Sequence, residues 1–290
     1  FSTAGGSTVN YLASWNGNNW EDGYFLNNSV HATCIFNGDL IAAGSFTNAG
    51  GYSANRIAKY NGSTWSPLGT GMNDEVYALI VYNNQLIACG KFTNAGGVSV
   101  NRIAKWNGTS WAALGSGLNS NGRALLLYNT GLYCGGDFTS AGGTTANRIA
   151  LWNGNSWSTL GQGFDYSVYS LTLWNNKIIA GGSFTHAGGN AINRIAYYDY
   201  SAGVWYSLGT GMNNDVHSLR SFDNKLYAGG KFNNAGGFSA GRIASWDGNI
   251  WSPLSSGVTN NFTPSVNALI SYNNELIVGG AFAIAGGINA

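Results

Sequence analysis

The sequence predicts an all-β fold made of repeated four-stranded units. Three observations carry that prediction. A Phe-x-x-Ala-Gly-Gly element recurs along the whole chain, each interval holds four strand-like segments, and the composition is that of short strands and tight turns. The element starts at Phe1, Phe46, Phe92, Phe138, Phe184, Phe232 and Phe282, at intervals of 45, 46, 46, 46, 48 and 50 residues. Self-similarity at this period marks stacked or ring-forming repeats.

One unit shows the elements in order. Val76 to Tyr82 is the first predicted strand and Gln85 to Phe92 the second, with Asn83-Asn84 between them. Asn101 to Trp106 is the third and Ser110 to Leu114 the fourth, separated by Asn107-Gly108. Asn-Gly favours a type I′ turn because both central residues need positive φ. The same turn is expected at Asn16-Gly17, Asn61-Gly62, Asn153-Gly154 and Asp247-Gly248. No segment carries a helical period.

Composition narrows the class. The chain has 290 residues, 44 of them Gly, with 9% charged and 14% aromatic residues and only 3 Pro. That apolar and aromatic content excludes a disordered chain, and Gly without a three-residue period excludes collagen. No apolar run approaches the roughly 18 residues of a membrane span, so no membrane insertion is expected within this segment. A net charge of +1 without a basic cluster lacks the footprint of a nucleic-acid binder. Cys34, Cys89 and Cys134 form no CxxC and read as small buried strand residues.

Four strands per unit of about 40 to 50 residues are the signature of propeller blades. A linear solenoid would need distinct caps, and none is evident. The N-terminus supplies a third and fourth strand (Asn10 to Trp15, then Trp20 onward), and the C-terminus a first and second (Val266 to Tyr272, Glu275 to Phe282). The expectation is therefore one domain over residues 1–290. It is a six-bladed β-propeller, with one blade completed by both chain ends. Phe1 to Gly6 and Phe282 to Gly287 are the same element twice. Only one copy is expected to occupy the closing blade, which leaves either a displaced copy or a piece of a longer array.

The unit resembles the kelch repeat. The likeness lies in a second strand ending in a Gly pair, as in Tyr227-Ala228-Gly229-Gly230, an aromatic in the third strand, as in Trp152, and a Trp after a short turn, as in Trp157. The longer pattern Asn-Arg-Ile-Ala-x-Trp-Asn-Gly-x-x-Trp-x-x-Leu-Gly is similar to repeats of secreted bacterial propellers and of fungal cell-surface propellers that mark cortical polarity. The resemblance implies an extracellular or cell-surface location and a binding, adhesion or scaffold role without a single ligand. Its strand order would place Val76 to Tyr82 innermost and the Trp111 strand outermost.

Comparing repeats separates what every blade needs from what is free to vary. Arg56, Arg102, Arg148, Arg194 and Arg242 form one column, with Tyr11 in the first repeat. Each Arg is expected to donate hydrogen bonds to loop carbonyls rather than to form an anion-binding ring. Trp20, Trp65, Trp111, Trp157, Trp205 and Trp251, with the preceding aromatics Trp15, Tyr60, Trp106, Trp152, Tyr198 and Trp246, are expected to pack blade on blade. The repeated Ala-Gly-Gly lacks the Gly-Lys-Ser/Thr of a phosphate loop and reads as backbone demand.

One column varies and is polar or aromatic: His31, Tyr77, Arg123, Tyr169, His217 and Asn267. It is the second residue of each inner strand and is the candidate ligand-binding ring. No catalytic residue, metal site or cofactor is expected. His31, His186 and His217 lie in distant repeats, and the acids Asp74, Glu75, Asp165 and Asp215 are spread over the blades. Two insertions, Asp199 to Gly203 and Asn260 to Pro264, depart from the template, and Phe262 in the second is a candidate exposed anchor. Asn27, Asn61, Asn107 and Asn261 begin glycosylation sequons, which count only in a eukaryotic secretory context. The expected function is non-catalytic binding of a protein, matrix or glycan partner. A lectin and a spacer module of a longer surface protein are the alternatives.

Overall fold

The computed structural model describes residues 2–260 and 263–290. Asn261 and the candidate anchor Phe262 lie outside the described residues. Strands and turns make up the rest, with no helix among the described residues and thus none long and apolar enough to cross a membrane. The chain divides into two compact units, Phe1–Leu125 with Ala141–Gly143, and Leu126–Ser140 with Thr144–Ala290.

The first unit holds two four-stranded antiparallel sheets in sequential order. One is Val30–Phe36, Asp39–Gly44, Ile57–Tyr60 and Trp65–Pro67, and the other Val76–Tyr82, Gln85–Gly90, Ile103–Trp106 and Trp111–Ala113. The second unit holds two of the same kind. They are Val168–Trp174, Lys177–Gly182, Ile195–Asp199 and Val204–Ser207, then Val216–Phe222, Lys225–Gly230, Ile243–Trp246 and Trp251–Pro253. The division falls inside strand Gly122–Tyr128, and the three strands that follow it, Gly131–Gly136, Ile149–Trp152 and Trp157–Thr159, pair in the second unit. Within each unit the first strands of successive sheets lie side by side, Val30–Phe36 with Val76–Tyr82 and Val168–Trp174 with Val216–Phe222.

The repeat is the core. Phe46, Phe92, Phe138, Phe184 and Phe232 are all fully buried. In the first unit Ile41 and Leu68 of one sheet pack with Leu86, Phe92 and Trp106 of the next. In the second, Ile179 and Leu208 pack with Leu226, Phe232 and Trp246. Each such side chain contributes roughly 1.5–3 kcal/mol on burial, and none could be buried by a lone sheet. The Trp column links sheets with hydrogen bonds as well. Trp111 Nε1 donates to Leu68 O at 3.0 Å, Trp205 to Leu160 O at 3.0 Å and Trp251 to Leu208 O at 2.9 Å. The first repeat departs from this pattern. Trp15 and Trp20 are each 43% exposed and stack mainly on each other, with ring centroids 5.4 Å apart.

The Arg column holds the long loops shut. Arg56 Nη1 donates to Ser45 O at 3.1 Å, and Arg148 Nη1 to Asp137 O at 3.0 Å and Phe138 O at 3.2 Å. The backbone joins in, Arg56 N bonding Phe46 O at 2.8 Å. The sequence did not reveal the conformation. All five Arg residues are left-handed, with φ between 66° and 69°, and Tyr11 follows at 64°. That conformation costs a non-Gly residue roughly 1–2 kcal/mol, which the guanidinium bonds offset. It also makes the third strand begin at Ile103 rather than Asn101, since Asn101 and Arg102 both have positive φ.

Turn chemistry is a second correction. The type I′ turns lie between first and second strands, where Asn83 and Asn84 have φ of 48° and 58° and Tyr82 pairs directly with Gln85. Asn-Gly instead opens a four-residue loop, because Trp106 pairs with Trp111. Asn107 Oδ1 there accepts Thr109 N and Ser110 N, both at 2.9 Å. The side chain thus replaces the turn bond, and of the pair only Gly108 needs positive φ.

The two chain ends carry the duplicated element. Both copies of the end element are formed. Thr3–Ala4 pairs with Ser7–Thr8 in the first unit, and Ile284–Ala285 pairs with Ile288–Asn289 and with Val258–Thr259 in the second. Ser14–Trp15 pairs with Trp20–Glu21 in the first unit, and Ser265–Tyr272 with Glu275–Ala281 in the second.

Candidate functional site

The variable column coincides with a repeated backbone irregularity. In the second sheet Val76 pairs with Gly90 and Ala78 with Cys89, so Tyr77 has no partner across the ladder. The same slip isolates His31, Tyr169, His217 and Asn267. Each is the extra residue of a β-bulge, which bends a strand and re-aims a side chain. A residue freed from pairing can change identity from sheet to sheet without altering the ladder.

The last Gly of each second strand makes the bulge possible. A Cβ on Gly90 would lie 2.9 Å from Val76 Cα and far inside contact distance of Glu75 O. Glu75 O in turn accepts Lys91 N at 2.8 Å. Gly44, Gly182, Gly230 and Gly280 meet the carbonyls of Ser29, Ser167, Asp215 and Ser265 in the same way. This glycine is needed for close backbone approach, not for positive φ.

In the first unit the structure brings His31, Tyr77 and Arg123 together. The His31 and Tyr77 rings are 5.8 Å apart, and Arg123 Cζ lies 5.3 Å from the Tyr77 ring centroid. Ser45 and Glu75 tie them into a chain. Tyr77 Oη donates to Glu75 Oε2 at 2.8 Å, Ser45 Oγ donates to Glu75 Oε1 at 3.0 Å, and His31 Nε2 lies 2.9 Å from Ser45 Oγ. Because the Ser45 hydroxyl proton goes to Glu75, His31 Nε2 is the donor to Ser45.

Electrostatics follow this wiring. The bond from Tyr77 holds the Glu75 carboxyl below its ordinary range, with Ser45, His31 and Lys91 adding to the effect against burial. Burial, then the bond to Glu75, pushes the Tyr77 phenol up to about 12. Burial lowers the His31 pKa, opposed by the Glu75 charge. At neutral pH the network is a carboxylate, a neutral phenol and a neutral imidazole beside a guanidinium.

In the second unit Tyr169, His217 and Asn267 are neighbours. Tyr169 meets His217 edge-on at 5.7 Å, and His217 Nδ1 lies 3.1 Å from Asn267 Oδ1. Sequence reasoning missed Ser45, which follows Gly44 at the end of the second strand, and the role of Glu75. The available signal was position, since both flank the bulge at fixed offsets. His186 and Asp165 also meet, with Nδ1 and Oδ2 3.2 Å apart. Burial opposes ionisation of Asp165, but bonds from Thr185 and His186 bring its pKa to about 2. Among the described residues no group of three His, Cys, Asp or Glu could hold a metal, and the three cysteines are free, with Cys89 and Cys134 buried.

Comparison with known proteins identifies the fold. The family described as a domain of unknown function (DUF5122), beta-propeller, matches residues 37–63. No curated protein matches. Among solved structures, the extracellular domain of a protein assigned as the hybrid two component system BT4673 from B. thetaiotaomicron is similar at TM-score 0.58 and 13% identity, over 87% of this chain and 30% of that one. The chain thus spans less than a third of that domain's length. The computationally designed Ika8 protein is similar at TM-score 0.50 and 15% identity, over 87% of this chain and 80% of that one. The RRP9 WD40 repeats are similar at TM-score 0.52 and 13% identity, over 77% of this chain and 61% of that one. At these identities the likeness is one of fold, and the fold is a β-propeller.

Proposed function

We propose that this chain is a non-catalytic binding module of a secreted or cell-surface protein, engaging a protein or matrix partner through the bulge column. The observation that carries the reading is the coincidence of bulge and variability. Each repeat spends the same glycine and the same backbone slip to present a different side chain, His31, Tyr77, Tyr169, His217 or Asn267. Bulges of this kind re-aim side chains next to functional sites, and Tyr, His and Arg are suited to interface contacts. The likeness to a bacterial extracellular domain supports the location.

A photoreactive residue at Tyr77 or His217 tests this in intact extracellular material. The expected result is one partner cross-linked from both positions and not from Tyr206, which is exposed on a fourth strand. Absence of a partner, or equal capture from Tyr206, would overturn the proposal.

A further inference from the structure

A polar cavity in the second unit lies on the side of the long loops. It has a volume of about 310 Å³, and its lining includes Asn193, Arg194, Thr210, Gly211, Asn213 and Asn234. Cavities of roughly 300 Å³ upward hold small ligands. Its walls are braced by side-chain bonds. Asn193 Nδ2 donates to Thr210 O at 3.1 Å, Asn213 Oδ1 accepts Asn233 N at 3.1 Å and Asn234 N at 3.0 Å, and Asn234 Oδ1 accepts Gly237 N at 3.1 Å. The main chain closes the frame, with Met212 N bonding Asn193 O at 3.1 Å and Gly236 N bonding Gly211 O at 2.8 Å.

The first unit builds the same frame from the same residue types. Asn55 Nδ2 donates to Thr70 O at 3.1 Å, Asn73 Oδ1 accepts Thr93 N and Asn94 N at 2.9 Å, and Asn94 Oδ1 accepts Gly97 N at 3.0 Å. Met72 N bonds Asn55 O at 3.0 Å and Gly96 N bonds Gly71 O at 2.8 Å. Exposure matches too. Asn55 and Asn193, Thr70 and Thr210, and Asn73 and Asn213 are exposed, while Asn94 and Asn234 are half-buried.

These bonds leave a defined set of polar atoms over. Asn234 uses its carbonyl oxygen on Gly237 and keeps its Nδ2 donors, whereas Asn193 uses its amide nitrogen on Thr210 and keeps its Oδ1 acceptor. The pair therefore offers a donor and an acceptor, which is what a hydroxyl, itself both, requires. Charge is not on offer. Arg194 lines the cavity, but its Nη1 is bound to the carbonyls of Ser183 and Phe184. Its charge is met inside the protein, with Nε 3.9 Å from Asp215 Oδ1. Phe238, next in sequence to Gly237, is 56% exposed and offers an apolar face beside the polar wall.

We propose that these two frames are equivalent carbohydrate sites, each taking one neutral sugar residue of a glycan. A neutral polyol suits paired amide donors and acceptors with no free cation, and an anion does not. Two copies in one chain raise avidity for a multivalent glycan without any new contact. The sites are distinct from the bulge column and do not depend on it.

The test uses the whole chain with glucose, galactose, mannose and N-acetylglucosamine as probes, and sulfate and glucuronate as anionic controls. Binding is read by NMR shift perturbation and titration calorimetry, with thermal unfolding confirming the fold of each variant. At least one neutral sugar is expected to bind with more than one site per chain. The double substitution Thr70→Arg with Thr210→Arg places a long charged side chain at each frame and should abolish binding. Asn94→Asp with Asn234→Asp keeps the acceptor for the Gly amide, removes the free donors, and should weaken binding about tenfold, the loss of one hydrogen bond. Tyr77→Ala should leave sugar binding unchanged. The proposal is overturned if no neutral sugar binds, if only the anions bind, or if folded cavity variants bind as well as the parent.

Discussion

Cys89 and Gly122 face each other and share one small volume. A Cβ built on Gly122 would lie 2.8 Å from Cys89 Cβ and 3.1 Å from its Sγ. In the second unit the same two positions divide that volume the opposite way. Gly135 faces Val168, and Gly181 faces Val216, each with its hypothetical Cβ 2.6 Å from the valine Cγ1. The strand-end position and the inner-strand position thus trade size between repeats. Gly122→Val should destabilise the chain by about 1–3 kcal/mol through overpacking. Adding Cys89→Gly should restore most of the loss. A double-mutant cycle by denaturant unfolding measures this, and simple additivity of the two costs would refute the pairing.

Gly90 and Gly51 are both needed as glycine, for different reasons. Gly90→Ala drives a Cβ into the Glu75 carbonyl and Val76 Cα, so about 2–3 kcal/mol should be lost, with the Tyr77 bulge disturbed. Gly51 has φ of 87° with nothing within 4 Å of a Cβ, so Gly51→Ala should cost only about 1–2 kcal/mol of conformational strain. Equilibrium unfolding ranks the two, and amide shifts around Tyr77 should move in the first variant alone.

Trp111 and Trp20 occupy one sequence column but not one environment. Trp111→Phe removes the indole bond to the buried Leu68 O, which keeps only Gly71 N at 3.2 Å, at about 1 kcal/mol. Trp20→Phe, on a half-exposed ring, should stay within about 0.5 kcal/mol. Thermal unfolding of the two variants separates them.

The Glu75 network makes stability depend on pH with a definite sign. Glu75 and His31 both have pKa values lowered in the folded state, so in each case the unfolded chain binds its proton first. Stability is then highest above the ordinary His value of 6.5, falls as His31 is driven toward protonation, and falls again as pH drops below the ordinary Glu value of 4.5. Glu75→Gln should cost about 1 kcal/mol at pH 7 and reduce the lower step, to which Asp165 also contributes. A pH series of unfolding midpoints for parent and variant reads both steps, and an unchanged lower step would refute the assignment.

Much of the fold was legible because each repeat states it again. The buried Phe, the Trp of the fourth strand and the Arg at the long loop recur at fixed spacing, although the indole bond to the preceding sheet is made by Trp111, Trp205 and Trp251 and not by Trp65. Turn type was less legible. Asn-Gly carries the preference for positive φ, but Asn107 spends its side chain on two amides and so sets a longer loop. The exposure of Trp15 and Trp20 was hidden as well, since their residue types match those of the buried columns.

By itself the sequence determined the all-β repeat, the four-strand unit, the core columns and the identity of the one column that varies. Tertiary structure alone decided that this column sits on a bulge. It also decided that His31 reaches Glu75 through Ser45, and that paired Asn residues frame a cavity. The reason is physical. Periodicity records which residues every repeat needs, and it can be read along one chain. A bulge, a hydrogen-bonded relay and a cavity arise from atoms some 15 to 50 residues apart meeting across sheets, and that geometry exists only once the sheets have packed.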